Sequence, residues 1–259
     1  MIDLLDLTRL PGFLLIFARI IGFFITVPLF SYRTIPMTHK IGLVLFIAWI
    51  MFYTVDIPFM LIDGNYILLL LKELIVGIFI GFIAFLILGA IQIAGGFIDF
   101  QMGFAIANVV DPQTGAQSPL IGQYLYTITL LFLITVDGHH MLLDGIFYSY
   151  SFIPMDQFIP FNDGSITLFV IETFSKMFLI AFQMSIPIVG CLFLVDVALG
   201  IVARTVPQLN VFVVGLPLKI LVSFVVIFLS FGIFATLIEQ LFDTMIQSMR
   251  SIMTLIGGA

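Results

Sequence analysis

The sequence predicts an all-α, polytopic integral membrane protein with about six apolar helical segments. Of the 259 residues, 62% are hydrophobic and only 9% are charged, whereas soluble domains carry about 25% charged residues. Too few polar side chains remain to cover a water-facing globule. Mean hydropathy is +1.27, and several apolar runs approach or exceed the ~20 residues a helix needs to cross a bilayer. No stretch is left for a soluble domain, so residues 1–259 read as a single membrane-embedded subunit. The formal net charge of -6, with nine Lys and Arg, argues against nucleic-acid binding and against a polybasic membrane-surface role. The single cysteine, Cys191, excludes an internal disulfide and reads as a packed thiol.

The first expected membrane segment is 10–30. Asp3 and Asp6 precede it, and no small-residue cleavage site follows, so it does not read as a cleavable signal peptide. Arg19 sits in its middle, but fourteen Leu, Ile, Phe and Val residues outweigh the arginine penalty. The arginine is expected to snorkel or to pair with a carboxylate inside the bundle. A turn-rich connection with Ser31, Arg33, Pro36, His39 and Lys40 leads to a second run from Ile41 to about Val55, ended by Asp56, Pro58, Asp63, Gly64 and Asn65. Arg33 and Lys40 favour a cytoplasmic connection, with the acidic loops at 56–65 and 137–165 outside.

The third run, Tyr66 to Ala107, contains no proline and is longer than one crossing requires. Either the helix projects beyond the membrane or it breaks near Gly95-Gly96. Gly77 and Gly81 form a G-x-x-x-G pair that admits a close neighbouring helix. Gln92, Gly95, Gly96, Asp99 and Gly103 recur at spacings of three and four, giving one small, polar face, with Gln101 beside it. That face suits a tight helix interface with a satisfied carboxylate, or the wall of a water-containing conduit. Residues 106–120, including Ile106, Asn108, Asp111, Pro112, Gln113, Thr114, Gly115 and Gln117, read as a turn-rich loop of small polar residues. It suits an exposed connector or a filler of a protein-lined cavity.

Leu120 to Val136 makes a fourth segment, followed by Asp137, Gly138, His139, His140 and Asp144. The two histidines should point about 100 degrees apart on a helix, and their spacing matches no standard metal-ligand pattern. A polar cap opening a short amphipathic helix explains the same residues, so no metal is assigned. Residues 141–161, with Tyr148, Tyr150, Phe152 and Pro154, suit an interfacial segment with aromatic anchors. Ile166 to about Val195 forms the fifth region, with Glu172 and Lys176 four apart and Pro187 and Gly190 as candidate kinks. The sixth is Val211–Ile238, before an amphipathic tail over 239–259. There is no Walker A motif, no G-x-S-x-G elbow and no catalytic grouping, so neither an enzyme nor a cofactor is expected. A secondary transporter with Arg19, Asp99, Glu172, Arg204 and Lys219 along an ion pathway is the alternative from composition alone.

The most specific stretch is Arg204-Thr-Val-Pro207-Gln208-Leu-Asn210-Val-Phe212-Val-Val-Gly215-Leu-Pro217-Leu-Lys219. It puts polar groups into an apolar region, where each must meet protein or water. This run resembles the signature of the FliR/SctT family of type III secretion export-gate membrane proteins. Arg19 with Pro28-Leu-Phe30, the stretch Gly96-Phe-Ile-Asp99-Phe-Gln101-Met-Gly103 with Asp111-Pro112, Asp137-Gly138-His139, and Asp196, Leu199 and Gly200 extend the resemblance along nearly the whole chain. PQLNVF and LPLK look more flagellar than virulence-associated.

What the resemblance implies is a gate subunit in the bacterial inner membrane, within the flagellar basal body. FliP-like and FliQ-like subunits would form the pore with it, beside FlhB-like and FlhA-like proteins, and unfolded flagellar proteins would pass through. Bent helical hairpins and a pore-closing loop are the implied structural features. Residues 106–120 would be that loop, Asp99 and Gln101 would be satisfied against neighbouring subunits, and the 204–219 motif would serve assembly.

Overall fold

The computed structural model describes residues 9–32, 34–58, 62–104, 119–158, 164–208 and 210–258, and among these every regular element is helical. Helix α1 covers Leu10–Thr26, α2 Met37–Thr54, α3 Gly64–Met102, α4 Leu120–Thr135, α5 Gly138–Phe152, α6 Ser165–Thr205, α7 Val211–Leu229 and α8 Phe231–Gly257. Proline and glycine set several of these bounds. Pro11 occupies the first turn of α1, where no amide hydrogen is needed. Gly103, at φ +90, ends α3: its N–H bonds the Phe100 carbonyl at 3.2 Å and that of Phe104 bonds Asp99 at 3.0 Å. This paired glycine cap satisfies carbonyls that a helix end leaves free. Gly103 therefore terminates the polar face of α3.

Four described helices, α2, α3, α6 and α7, are long and apolar enough to cross a membrane, and α4 with α5 adds a fifth if the two form one span. The expected count of six is corrected accordingly. α1 has 17 residues, so the first segment is shorter than 10–30. α3 runs unbroken through Gly95-Gly96 for 39 residues, about 58 Å at 1.5 Å per residue. α6 is longer than its apolar run, at 41 residues with Pro187 inside it. The sixth region divides at Ser230, and the tail helix begins at Phe231 rather than near 239.

The chain forms two compact units, and α3, α4, α6 and α8 contribute residues to both. In the first, Met1–Ile87 with Ile134–Phe174 and Asp243–Ala259, α1 lies against α3. Gly77 faces the backbone of Arg19 and Phe23, Gly81 faces Phe23 and Val27, and Gly22 faces Leu74 and Ile78. The helix admitted by the G-x-x-x-G pair is therefore α1. Phe13 of α1 meets Trp49 and Phe52 of α2 edge-on, with ring centroids 6.3 and 5.9 Å apart. In the second unit, Leu88–Leu133 with Ser175–Phe242, Ile91, Ala94, Ile98, Leu125, Met184, Ile188 and Leu192 supply buried apolar side chains.

Candidate functional site

In the second unit the end of α3, α6 and α7 enclose a groove of about 540 Å³, lined by Phe100, Gln101, Asp196, Leu199, Phe212 and Lys219 among others. Asp196 on α6 organises its polar side. Gln101 Nε2 donates to Asp196 Oδ2 at 2.8 Å, and Lys219 forms an ion pair with Asp196 Oδ1. Gly215 lets α7 approach α6, because any side chain there would press on Leu199.

The 204–219 motif builds the α6–α7 corner. Arg204 lies in the last turn of α6, where a cation suits the helix carbonyls. Pro207 and Gln208 occupy the turn. Asn210 then caps α7, its Oδ1 accepting from Phe212 N at 3.2 Å and Val213 N at 3.4 Å. Pro217 lies inside α7. Arg204, Pro207, Gln208 and Phe212 are exposed, Phe212 to 65%. Within the chain, Asn210, Gly215 and Lys219 shape the corner, and the exposed four remain available to other surfaces.

The small face of α3 packs mainly inside the chain. Gly95 lies directly against the backbone of Gly122 on α4, Gly96 faces Pro119, and Gln92 is exposed. Asp99 is buried, and its carboxylate accepts from Ile121 N at 3.1 and 3.3 Å, capping the first turn of α4. Asp99 and Gln101 were expected to find partners on neighbouring subunits; both find them within this chain. The loop residues Ile106, Asn108, Asp111, Pro112, Gln113, Thr114, Gly115 and Gln117 lie outside the described residues.

The first unit holds a second polar centre. Arg19 Nε donates to Glu73 Oε2 at 2.5 Å and Nη2 to Glu73 Oε1 at 2.9 Å. Nη1 reaches Ser149 Oγ and Nη2 also the Ile153 carbonyl, each at 2.9 Å. Lys72 Nζ donates to Glu73 Oε1 at 2.6 Å and to the Pro154 carbonyl at 2.7 Å. The cations thus satisfy carbonyls at and just beyond the C-terminus of α5. Tyr150 lies over the guanidinium, with Arg19 Cζ 3.7 Å from its ring centroid. Tyr150 is therefore no interfacial anchor; Tyr148, beside it in sequence, is exposed. Lys72 and Glu73 were missed from sequence, although two charges inside the long apolar run marked the carboxylate that Arg19 required.

The geometry at 137–140 corrects a third expectation. The rings of His139 and His140 stand 4.2 Å apart, and one ligand atom from each of Asp137, His139 and His140 lies within 4.8 Å of the others. The 100-degree separation of helical positions does not hold the rings apart.

Residues 10–245 match the family described as "Bacterial export proteins, family 1". The chain belongs to that family. It is similar to the flagellar biosynthetic protein FliR of Bacillus subtilis (strain 168), 55% identical over 249 residues, covering 95% of this chain and 96% of that protein. FliR of Escherichia coli (strain K12) is 26% identical over 239 residues, covering 91% and 90%. The Yop proteins translocation protein T of Yersinia pestis is 30% identical over 220 residues, covering 83% and 84%. The family match takes in both polar centres and the α6–α7 corner, ending within α8.

Proposed function

We propose that this chain is a subunit of a bacterial type III protein-export gate in the flagellar basal body. With FliP-like and FliQ-like subunits, beside FlhB-like and FlhA-like proteins, it forms the pore through which unfolded flagellar proteins cross the inner membrane. The observation that carries this reading is the near-full-length similarity to FliR of Bacillus subtilis. A relative named for translocating Yop proteins supports the same class of work. Of the most apolar windows of α6 and α7, only 11% and 17% are buried within this chain, which leaves apolar surface for neighbouring subunits and lipid.

In this mechanism exposed Gln92 and the partly exposed edge of the Gly96–Gly103 stretch border the conduit or a neighbouring subunit, while Asp99 holds the start of α4 in place. The loop from Ile106 to Gln117 occludes the passage at rest. Its small polar residues close by packing and weak hydrogen bonds, so opening separates no strong ion pair. The exposed part of the 204–219 motif serves assembly.

The test is genetic and electrical. A strain lacking this chain should export no flagellar subunits and build no filaments, and the intact chain should restore both. Normal filaments without it would end the proposal. Deleting Asn108 to Gln117 should make resting complexes leaky to ions; an intact permeability barrier counts against the closure role. Alanine at Arg204, Gln208, Asn210 or Lys219 should reduce recovery of the complex, whereas normal assembly with lost export moves these residues to transport. The ion-coupled transporter has no support among these relatives, which are named for flagellar biosynthesis and for translocation of Yop proteins.

A further inference from the structure

The geometry points to a divalent transition-metal site at the start of α5, with Asp137, His139 and His140 as ligands. One carboxylate oxygen and two imidazole nitrogens from a four-residue stretch lie within 4.8 Å of one another. Tetrahedral zinc with bonds of about 2.0 to 2.2 Å holds its ligand atoms roughly 3.4 Å apart, so side-chain rotation of about an ångström closes the set. Two nitrogens and one oxygen suit zinc, cobalt, nickel or iron(II) rather than magnesium or calcium.

Two further observations separate this cluster from an ordinary polar helix cap. Asp137 stands at the N-cap position in the left-handed region, at φ 56, and its side chain makes no capping hydrogen bond. The amides of His140 and Met141 instead bond its backbone carbonyl, at 2.9 and 3.3 Å. The carboxylate is therefore not spent on the helix, although capping is the ordinary work of an aspartate there. The Nδ1 atom of His139 is shut off from solvent and has no hydrogen-bond partner among the described residues. A buried ring nitrogen costs free energy unless something coordinates or bonds it.

The positive end of the α5 dipole opposes a cation, but the nearby Asp137 carboxylate carries a full negative charge against roughly half a charge for the dipole. Asp144 lies one turn beyond His140 on α5, on the same helical face. A bound cation would pin Asp137 to the first turn of α5 and so fix the break that follows α4. This inference does not depend on the export reading.

The test uses the complex isolated from native membranes through a tag on this chain. It is stripped with EDTA and titrated with Zn²⁺ alone, with Co²⁺ as a spectroscopic probe. Wild type should bind one Zn²⁺ per copy of this chain and give the visible absorption of nitrogen- and oxygen-ligated Co²⁺. His139→Ala and His140→Ala each remove a ligand and should weaken that binding by at least the roughly 10- to 100-fold that loss of a group supporting a ligand costs. Asp137→Asn, which preserves size, should weaken it as well. A wild-type complex that binds no Zn²⁺, or Zn²⁺ binding unchanged in both histidine variants, overturns the site. The wild-type titration decides even if a variant fails to assemble.

Discussion

Arg19 and Glu73 form a two-pronged ion pair in which neither side chain has any exposed surface. Lys72 shares the same carboxylate, so removing one member leaves different charges behind. Arg19→Gln leaves Lys72 to neutralise Glu73, whereas Glu73→Gln strands two cations. Breaking a buried pair costs about 3 to 5 kcal/mol, and Glu73→Gln should cost more than Arg19→Gln. Thermal unfolding of the detergent-solubilised complex reads the order; equal losses would contradict the shared-carboxylate arrangement.

Tyr150 offers an opposite outcome in the same centre. Its hydroxyl is buried with no hydrogen-bond partner among the described residues, while its ring covers Arg19. Tyr150→Phe removes the orphan hydroxyl and keeps a ring, so stability should hold or rise by about 1 kcal/mol. Tyr150→Ala loses the ring contact as well as the packing and should destabilise clearly. The same unfolding measurement separates them.

Close helix approach gives a third contrast. A methyl group on Gly95 would strike the backbone of Gly122, and Gly95→Ala should cost about 1 to 3 kcal/mol by forcing α3 and α4 apart. Among the described residues, nothing lies within 4 Å of the corresponding position at Gly190 in α6. Gly190→Ala should be neutral or stabilising by up to about 1 kcal/mol. Comparable gains at both positions would show that helix propensity, rather than contact, governs these sites.

The groove residues should divide stability from assembly. Lys219 and Asp196 retain 20% and 38% exposure, so their pair is worth less than about 1 kcal/mol to folding. Asp196→Asn and Phe212→Ala should therefore leave the unfolding midpoint nearly unchanged and reduce the amount of complex recovered. Full recovery of complex from both variants would remove the groove from the assembly surface.

Helix class and several helix starts were legible in the sequence because composition, proline and glycine act locally, whereas the ends of α1 and α6 and the division at Ser230 were not. The 39-residue α3 was readable as one of two alternatives, and only packing decided between them, through Gly95 against Gly122. Arg19 was legible as a charge needing a partner. Its assignment to Glu73, 54 positions away, was not, since the pairing depends on how α1 and α3 approach. For Asp99 a tight helix interface with a satisfied carboxylate was one of two readings, and its acceptor role toward Ile121 exists only after α4 folds beside α3. At His139 and His140, backbone periodicity misled, because side-chain rotation and the left-handed Asp137 set where the rings stand.

The most direct test of membership in an export gate is purification of this chain, tagged and at native expression, from native membranes in mild detergent, with mass spectrometry of everything that accompanies it. The expected result is one large complex containing FliP-like and FliQ-like proteins. A solitary species that transports solutes on its own in liposomes would contradict it and make the chain a carrier.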